Sequence, residues 1–179
     1  MTRAAILAAI FCVATAAHAE DQSADYRQDN YRAPVPSTLS GATVLTSEAA
    51  HAMWKSGSAV FVDVLPRPPK PANLPKNTIW HEQPHLSIPG SIWLPNVGYG
   101  QLAGVMHTYF RTNLDAATGN NADKPLVFFC LENCWMSWNA AKRALEYGHT
   151  HVFWYPKGTD GWALQGYPTE QLEPEPGGQ

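Results

Sequence analysis

Apolar positions along this chain follow two periods, and the switches between them mark its elements. Residues 59–65 (AVFVDVL), 125–130 (PLVFFC) and 150–155 (THVFWY) are near-continuous apolar runs bounded by turn residues. That pattern predicts strands buried on both faces. Shorter strands are predicted at 41–45 and 92–94. Three- and four-residue spacing of Leu102, Val105, Met106, Tyr109 and Phe110 predicts a helix over 100–113, followed by a polar turn over 118–124. A second helix is predicted over 136–147, with Gly148 as its stop. A third runs to about Lys55 from a cap at Thr46 or Ser47 and ends at Ser56-Gly57-Ser58. A short last helix is expected over 162–166 after a turn at 156–161. Strands alternating with helices imply an α/β domain over 41–168, with a largely parallel central sheet and helices on both faces.

The flanks break this alternation. Residues 20–40 are polar, carry Tyr26, Tyr31, Pro34 and Pro36, and are expected to form an extended arm on the domain surface. Residues 66–89 hold seven prolines, which forbid a helix and favour a stiff loop. Trp80, His81 and His85 within it suit an ordered lid. Residues 169–179 (TEQLEPEPGGQ) are expected to be a frayed, flexible tail. Residues 1–19 read as a secretory signal: Arg3 supplies the charge, 4–13 the apolar stretch, and Ala17-His18-Ala19 the cleavage site. The expected location is the periplasm, with a mature chain starting at Glu20 and no membrane span after cleavage.

Composition narrows the function. The full chain has 179 residues and a formal net charge of −3, which argues against nucleic-acid binding. Cleavage after Ala19 would remove one charge, Arg3, and one of the three cysteines, Cys12. Cys130 and Cys134 would then remain in an oxidising compartment, where nearby thiols form either a structural disulfide or a redox pair.

Cys130 ends a predicted buried strand, and a helix begins about five residues later. In open α/β sheets this edge carries the reacting groups. A tight loop whose N–H groups converge on the sulfur, beside a helix N-terminus, would lower the thiol pKa and cradle an anion.

Phe128-Phe129-Cys130, the loop and helix to Gly148, Gly158-Thr159-Asp160-Gly161-Trp162 and Gly166-Tyr167-Pro168 resemble a rhodanese-like domain. Upstream, Val60-Phe61-Val62-Asp63-Val64 and Ile88-Pro89-Gly90-Ser91-Ile92 resemble two further segments of that family. Cys130-Leu131-Glu132-Asn133-Cys134-Trp135, with Trp138, Asn139, Lys142 and Arg143 on the next helix, is similar to exported Cys/Cys-Trp motif proteins associated with pyrroloquinoline quinone (PQQ)-dependent alcohol catabolism. The resemblance implies a single rhodanese-like domain with Cys130 as nucleophile. It also implies a periplasmic PQQ-dependent alcohol dehydrogenase, or its cytochrome, as partner. No PQQ-binding motif is evident, and no cofactor is assigned to the chain. Ordinary members close the loop with a cation where Trp135 stands. They carry Arg where Leu65 stands, with Arg67 the nearest cation here, and Glu132 adds negative charge to the loop. These differences argue against thiosulfate:cyanide sulfur transfer.

Three functions follow. The first is thiol–disulfide or persulfide chemistry at Cys130 and Cys134, with Leu131, Glu132, Asn133 and Trp135 forming the active-site loop. Asp63, Arg67, His85, Trp138 and Asp160 are its supporting candidates. The second is a catalytically silent docking module, which an exposed aromatic patch around Trp80, Trp93 and Trp135 would favour. The third is a metal-binding chaperone using His81, His85 and the cysteines, although Pro84 breaks the helical spacing that would align the histidines. Asn139, Lys142 and Arg143 are expected to face solvent or cap neighbours. Asp63 is expected to bond loop amides, and His85 to approach the thiol.

Overall fold

A computed structural model describes residues 25–80 and 83–178. The proposed signal, its cleavage site and Cys12 lie outside the described residues, as do His81 and Glu82. The strands in chain order are β1 (Thr43–Val44), β2 (Val60–Asp63), β3 (His85–Ser87), β4 (Ile92–Trp93), β5 (Leu126–Phe129), β6 (Val152–Tyr155) and β7 (Glu170–Leu172). The helices are α1 (Ser47–Ser56), α2 (Gly104–Thr118), α3 (Trp135–Glu146) and α4 (Gly158–Leu164).

Five strands form an all-parallel sheet in the order β1-β6-β5-β2-β4. Successive residues of a strand point to opposite faces, and the apolar runs fill both. Val62, Leu126, Phe128, Val152 and Trp154 pack on one side against Phe110 and Leu114 of α2 and Trp138 and Ala141 of α3. Phe61, Val127, Phe129 and Tyr155 pack on the other against Ala50 of α1 and Trp162 of α4. The expected α/β architecture, with helices on both faces of a parallel sheet, is the observed one. At the carboxyl edge, Trp93, Asp63, Phe129 and Tyr155 lie in register across four strands, so the segments that follow them emerge side by side.

Thr46 caps α1 through its side chain, and Gly57 ends the helix in the left-handed region. Two other helices are displaced from their expected places. α2 runs to Thr118 and stops at Gly119 (φ 65°), because Leu114 and Thr118 continue the buried stripe past Asn113. α4 begins at Gly158 rather than Trp162, within the stretch expected to be a turn.

The C-terminal segment corrects the expectation of a frayed tail. Glu170–Leu172 pairs antiparallel with His85–Ser87 in a second, two-stranded sheet. Beyond it, Pro174 bridges Trp93, the Glu175 N–H donates to the Trp93 carbonyl at 2.9 Å, and the Tyr109 hydroxyl donates to the Glu175 carbonyl at 3.1 Å. These are backbone-directed bonds, which a polar sequence makes as readily as an apolar one. The proline-rich stretch therefore ends in a strand, while its described residues from 66 to 84 form no helix or strand.

Candidate functional site

β5 delivers Cys130 to the carboxyl edge, and the chain reverses through Leu131–Cys134 into α3. Asn133 adopts φ 54°, a left-handed conformation that Asn tolerates better than most residues. The turn brings the Cα atoms of Cys130 and Cys134 to 6.4 Å, and the two residues form a disulfide, within the ~4.4–6.8 Å span such bonds require. Cys130 is fully buried and Cys134 is 2% exposed. Both belong to the apolar cluster beneath α3.

Neighbouring segments hold the loop tightly. The Thr159 N–H donates to the Cys130 carbonyl at 2.8 Å, and its hydroxyl to the same oxygen at 3.4 Å. The Glu132 N–H donates to Asp160 Oδ2 at 3.0 Å, and the Glu132 carboxylate pairs with Lys157 Nζ. Asp160, a supporting candidate, thus bonds the loop, and Lys157, which is not among the candidates, joins it. The sequence signal for Lys157 is its position beside the Gly158-Thr159-Asp160-Gly161 turn, in a segment, Tyr155 to Trp162, that shares the resemblance to the Cys/Cys-Trp motif proteins. The Trp135 N–H donates to the Tyr31 carbonyl at 2.9 Å. The Glu132 and Trp135 amides, two members of the expected ring, are engaged by Asp160 and the arm rather than by the Cys130 sulfur. Leu131 and Glu132 are half-buried and Asn133 is exposed.

The arm explains the helix residues around the loop. Trp135 Nε1 donates to the Pro34 carbonyl at 3.0 Å, and Trp138 Nε1 to the Thr38 carbonyl at 3.2 Å. The Asn139 amide accepts from the Arg27 N–H at 3.0 Å and donates to the Arg27 and Gly98 carbonyls at 2.9 Å. Asn139 and Arg143 are buried, so of the two expectations, facing solvent or capping neighbours, the first is corrected and their polar groups serve neighbouring carbonyls. Arg143 donates to the carbonyls of Val97, Tyr99 and Gly100 at 2.7–3.0 Å and lies 4.2 Å from the Tyr26 ring centre. Burial lowers the Arg143 pKa, and burial with the Glu146 hydrogen bond raises that of Tyr26. Lys142 pairs with Glu146 one turn along at 3.4 Å.

Asp63, fully buried, is the hub of a second polar group. Its Oδ1 accepts the Leu65 N–H at 2.8 Å, and its Oδ2 bonds His85 Nε2 at 2.8 Å and the Ser87 hydroxyl at 2.5 Å. One loop amide is held as expected, and the histidine and serine are added. His85 packs on Trp93 with ring centres 4.1 Å apart and lines a cleft of about 200 Å³ with Gln83, Gln171 and Glu173. Its mapped partners are therefore Asp63 and Trp93 rather than the cysteines. Arg67 lines a different cleft, of about 130 Å³, against residues 174–178. Trp93 is 5% exposed, so it contributes no exposed aromatic surface. Among the described residues, no three His, Cys, Asp or Glu side chains are placed to hold a metal, and no helix is long and apolar enough to cross a membrane.

The comparisons agree with this architecture. No curated protein matches the chain. Among solved structures, it is similar to thiosulfate sulfurtransferase from Pseudomonas aeruginosa (18% identity, TM-score 0.51), over 74% of this chain and 21% of that one. It is also similar to a persulfide form of EanB with ergothioneine (21% identity, TM-score 0.50), over 79% of this chain and 34% of that one. The polysulfide-sulfur transferase of Wolinella succinogenes matches at 16% identity and TM-score 0.44, over 76% and 83%. At these identities the likeness is one of fold, and the chain spans about a fifth of the first protein and a third of the second. The rhodanese-like domain family matches residues 46–165, about two thirds of the chain. From the end of β1 through α4, this chain belongs to the rhodanese-like domain family.

Proposed function

We propose that this protein carries out thiol–disulfide exchange and persulfide resolution at Cys130 and Cys134. One observation carries the reading: a cysteine at the carboxyl end of β5, the place where the family resemblance puts a nucleophile, is joined to a second cysteine four residues on. In the reduced protein, the Cys130 thiolate would attack the outer sulfur of a polysulfide, breaking its terminal S–S bond; the polysulfide shortened by one sulfur leaves with the bonding pair, and Cys130 becomes a persulfide. Cys134 would then attack the Cys130 sulfur, forming the disulfide and releasing the outer sulfur as sulfide. A dithiol reductant would restore both thiols with two electrons and two protons. The rim favours donors other than thiosulfate, because Trp135 closes the loop, Glu132 neutralises Lys157, and Asp160 adds negative charge.

The test is to give reduced protein a polysulfide and read intact mass. Cys134→Ser should accumulate one added sulfur atom, Cys130→Ser none, and the unmutated protein should become the disulfide while releasing sulfide. No sulfur on Cys134→Ser, together with no sulfide from the unmutated protein, would overturn the reading.

Burial of both sulfurs favours a second reading, a rhodanese-like module that docks without chemistry. Its signature would be a disulfide that mild thiols fail to reduce in the folded protein. In either case we infer a periplasmic protein, exported by residues 1–19, that serves PQQ-dependent alcohol oxidation beside the dehydrogenase or its cytochrome. Protein recovered from the exported fraction should have a mass beginning at Glu20. A strain lacking it should grow poorly on alcohols as carbon source.

A further inference from the structure

The arm lies across the loop that carries the disulfide, and its attachment is unusually directional. Arg32 forms an antiparallel bridge with Cys134, and the Trp135 N–H, the first beyond that cysteine, is bonded to Tyr31. Trp135, Trp138 and Asn139 bond backbone groups of Pro34, Thr38 and Arg27. Tyr26 is held by Glu146 and the Arg143 guanidinium, and the Arg27 guanidinium lies 5.2 Å from the Trp135 ring centre. Tyr31 and Val35 pack against the same apolar cluster as the two cysteines, and Leu39 is buried within it. The side chains of the Cys134-Trp135 motif and its helix are thus engaged in binding the chain's own N-terminal segment.

We propose that residues 25–38 are an autoinhibitory strap whose release exposes the Cys130–Cys134 bond to a thiol. The proposal rests on the redox reading of the pair and adds its control. With the strap seated, Cys134 has 2% of its surface exposed, and an attacking thiolate cannot line up with the S–S bond. When the strap lifts, a dithiol's thiolate attacks Cys134 Sγ. A mixed disulfide forms, and the bonding pair leaves on Cys130 as thiolate. The reagent's second thiol then attacks its own bonded sulfur, closing a cyclic disulfide and releasing Cys134 as thiolate. The strap binds largely through backbone groups on one side and indole and amide groups on the other. Each contact is worth little alone, so local opening is within reach of the folded state.

The test is the rate at which dilute dithiothreitol reduces the disulfide in the full exported protein, followed by thiol labelling and intact mass. Tyr26→Ala with Arg27→Ala changes only the strap, outside the matched domain, and Trp135→Phe removes the indole donor to Pro34 and trims the ring that meets Arg27 and Trp138. Either change should speed reduction, and all three together by about tenfold. As a check independent of folding variants, a tryptic nick after the exposed Arg32 in the unmutated protein should produce the same acceleration. Equal rates in the unmutated, variant and nicked proteins would overturn the strap while leaving the persulfide test intact. Resistance to reduction in all of them would also overturn it. Acceleration without sulfur loading would uphold the strap and sink only the sulfur chemistry.

Discussion

Gly158 shows how much of the site depends on the absence of a side chain. It adopts φ 51°, and a Cβ there would lie 2.2 Å from the Cys130 carbonyl oxygen and 2.6 Å from its carbon. That contact is with backbone, so no side-chain rotation relieves it. Gly158→Ala should cost about 3 kcal/mol, read as a lower urea midpoint. The same shift should pull Thr159 off the Cys130 carbonyl and make the disulfide easier to reduce. Unchanged stability and reduction rate would show that the β6–α4 turn does not brace the loop. The Gly-Thr-Asp-Gly segment was legible in the sequence as a family feature, and Asp160 as a candidate. That the turn abuts Cys130 was not legible, because the contact spans 28 residues and leaves no periodic trace. The pairing of Lys157 with Glu132 was not legible for the same reason.

At the scale of the element, α3 separates what pattern reading reaches from what it misses. Its start after the loop and its end before Gly148 were legible in the sequence. Its polar residues were not. Asn139 and Arg143 were expected to face solvent or cap neighbours, yet both are buried, because residues 97–100 and the arm present carbonyls to them. Binary patterning assumes that a buried face is apolar, and it fails where distant backbone needs donors. Arg143 is the strongest case, with three carbonyls held by one planar guanidinium. A lysine ammonium has no matching fork, so Arg143→Lys should lose about 2 kcal/mol, measured by urea unfolding. Loss of the Tyr26 stacking should also make the arm more open to trypsin. The strand pair β3–β7 was missed for a related reason. It is three residues long on each side, leaves Leu86 58% exposed, and is held by its ladder rather than by an apolar face.

The whole molecule couples both flanks of the chain to the sheet's carboxyl edge, the arm over α3 and the C-terminal segment beside β4. The α2–α3 layer between them carries two histidines that make its stability depend on pH. His149 is 8% exposed and its Nδ1 has no hydrogen-bond partner. Burial lowers its pKa and Arg111 adds to that, against Asp115 and a backbone bond at Ala122. His107, bonded through Nδ1 to the Tyr147 hydroxyl at 2.6 Å, is lowered by burial and by Arg143 and Arg111, against Glu146. A folded state that prefers the neutral imidazole binds fewer protons than the unfolded chain. Their contribution is therefore fully present above the ordinary histidine value, and falls as pH drops through it toward the depressed folded value. The urea midpoint should accordingly hold from about pH 8 to about pH 7 and fall as the pH drops below about 6.5. His149→Gln removes one of the two groups while keeping a polar side chain of similar reach, so the fall should be shallower in that variant. If the variant and the unmutated protein lose stability in parallel across that range, His149 is not a source of the acid sensitivity, and His107 is left as the layer's one titrating group of the two.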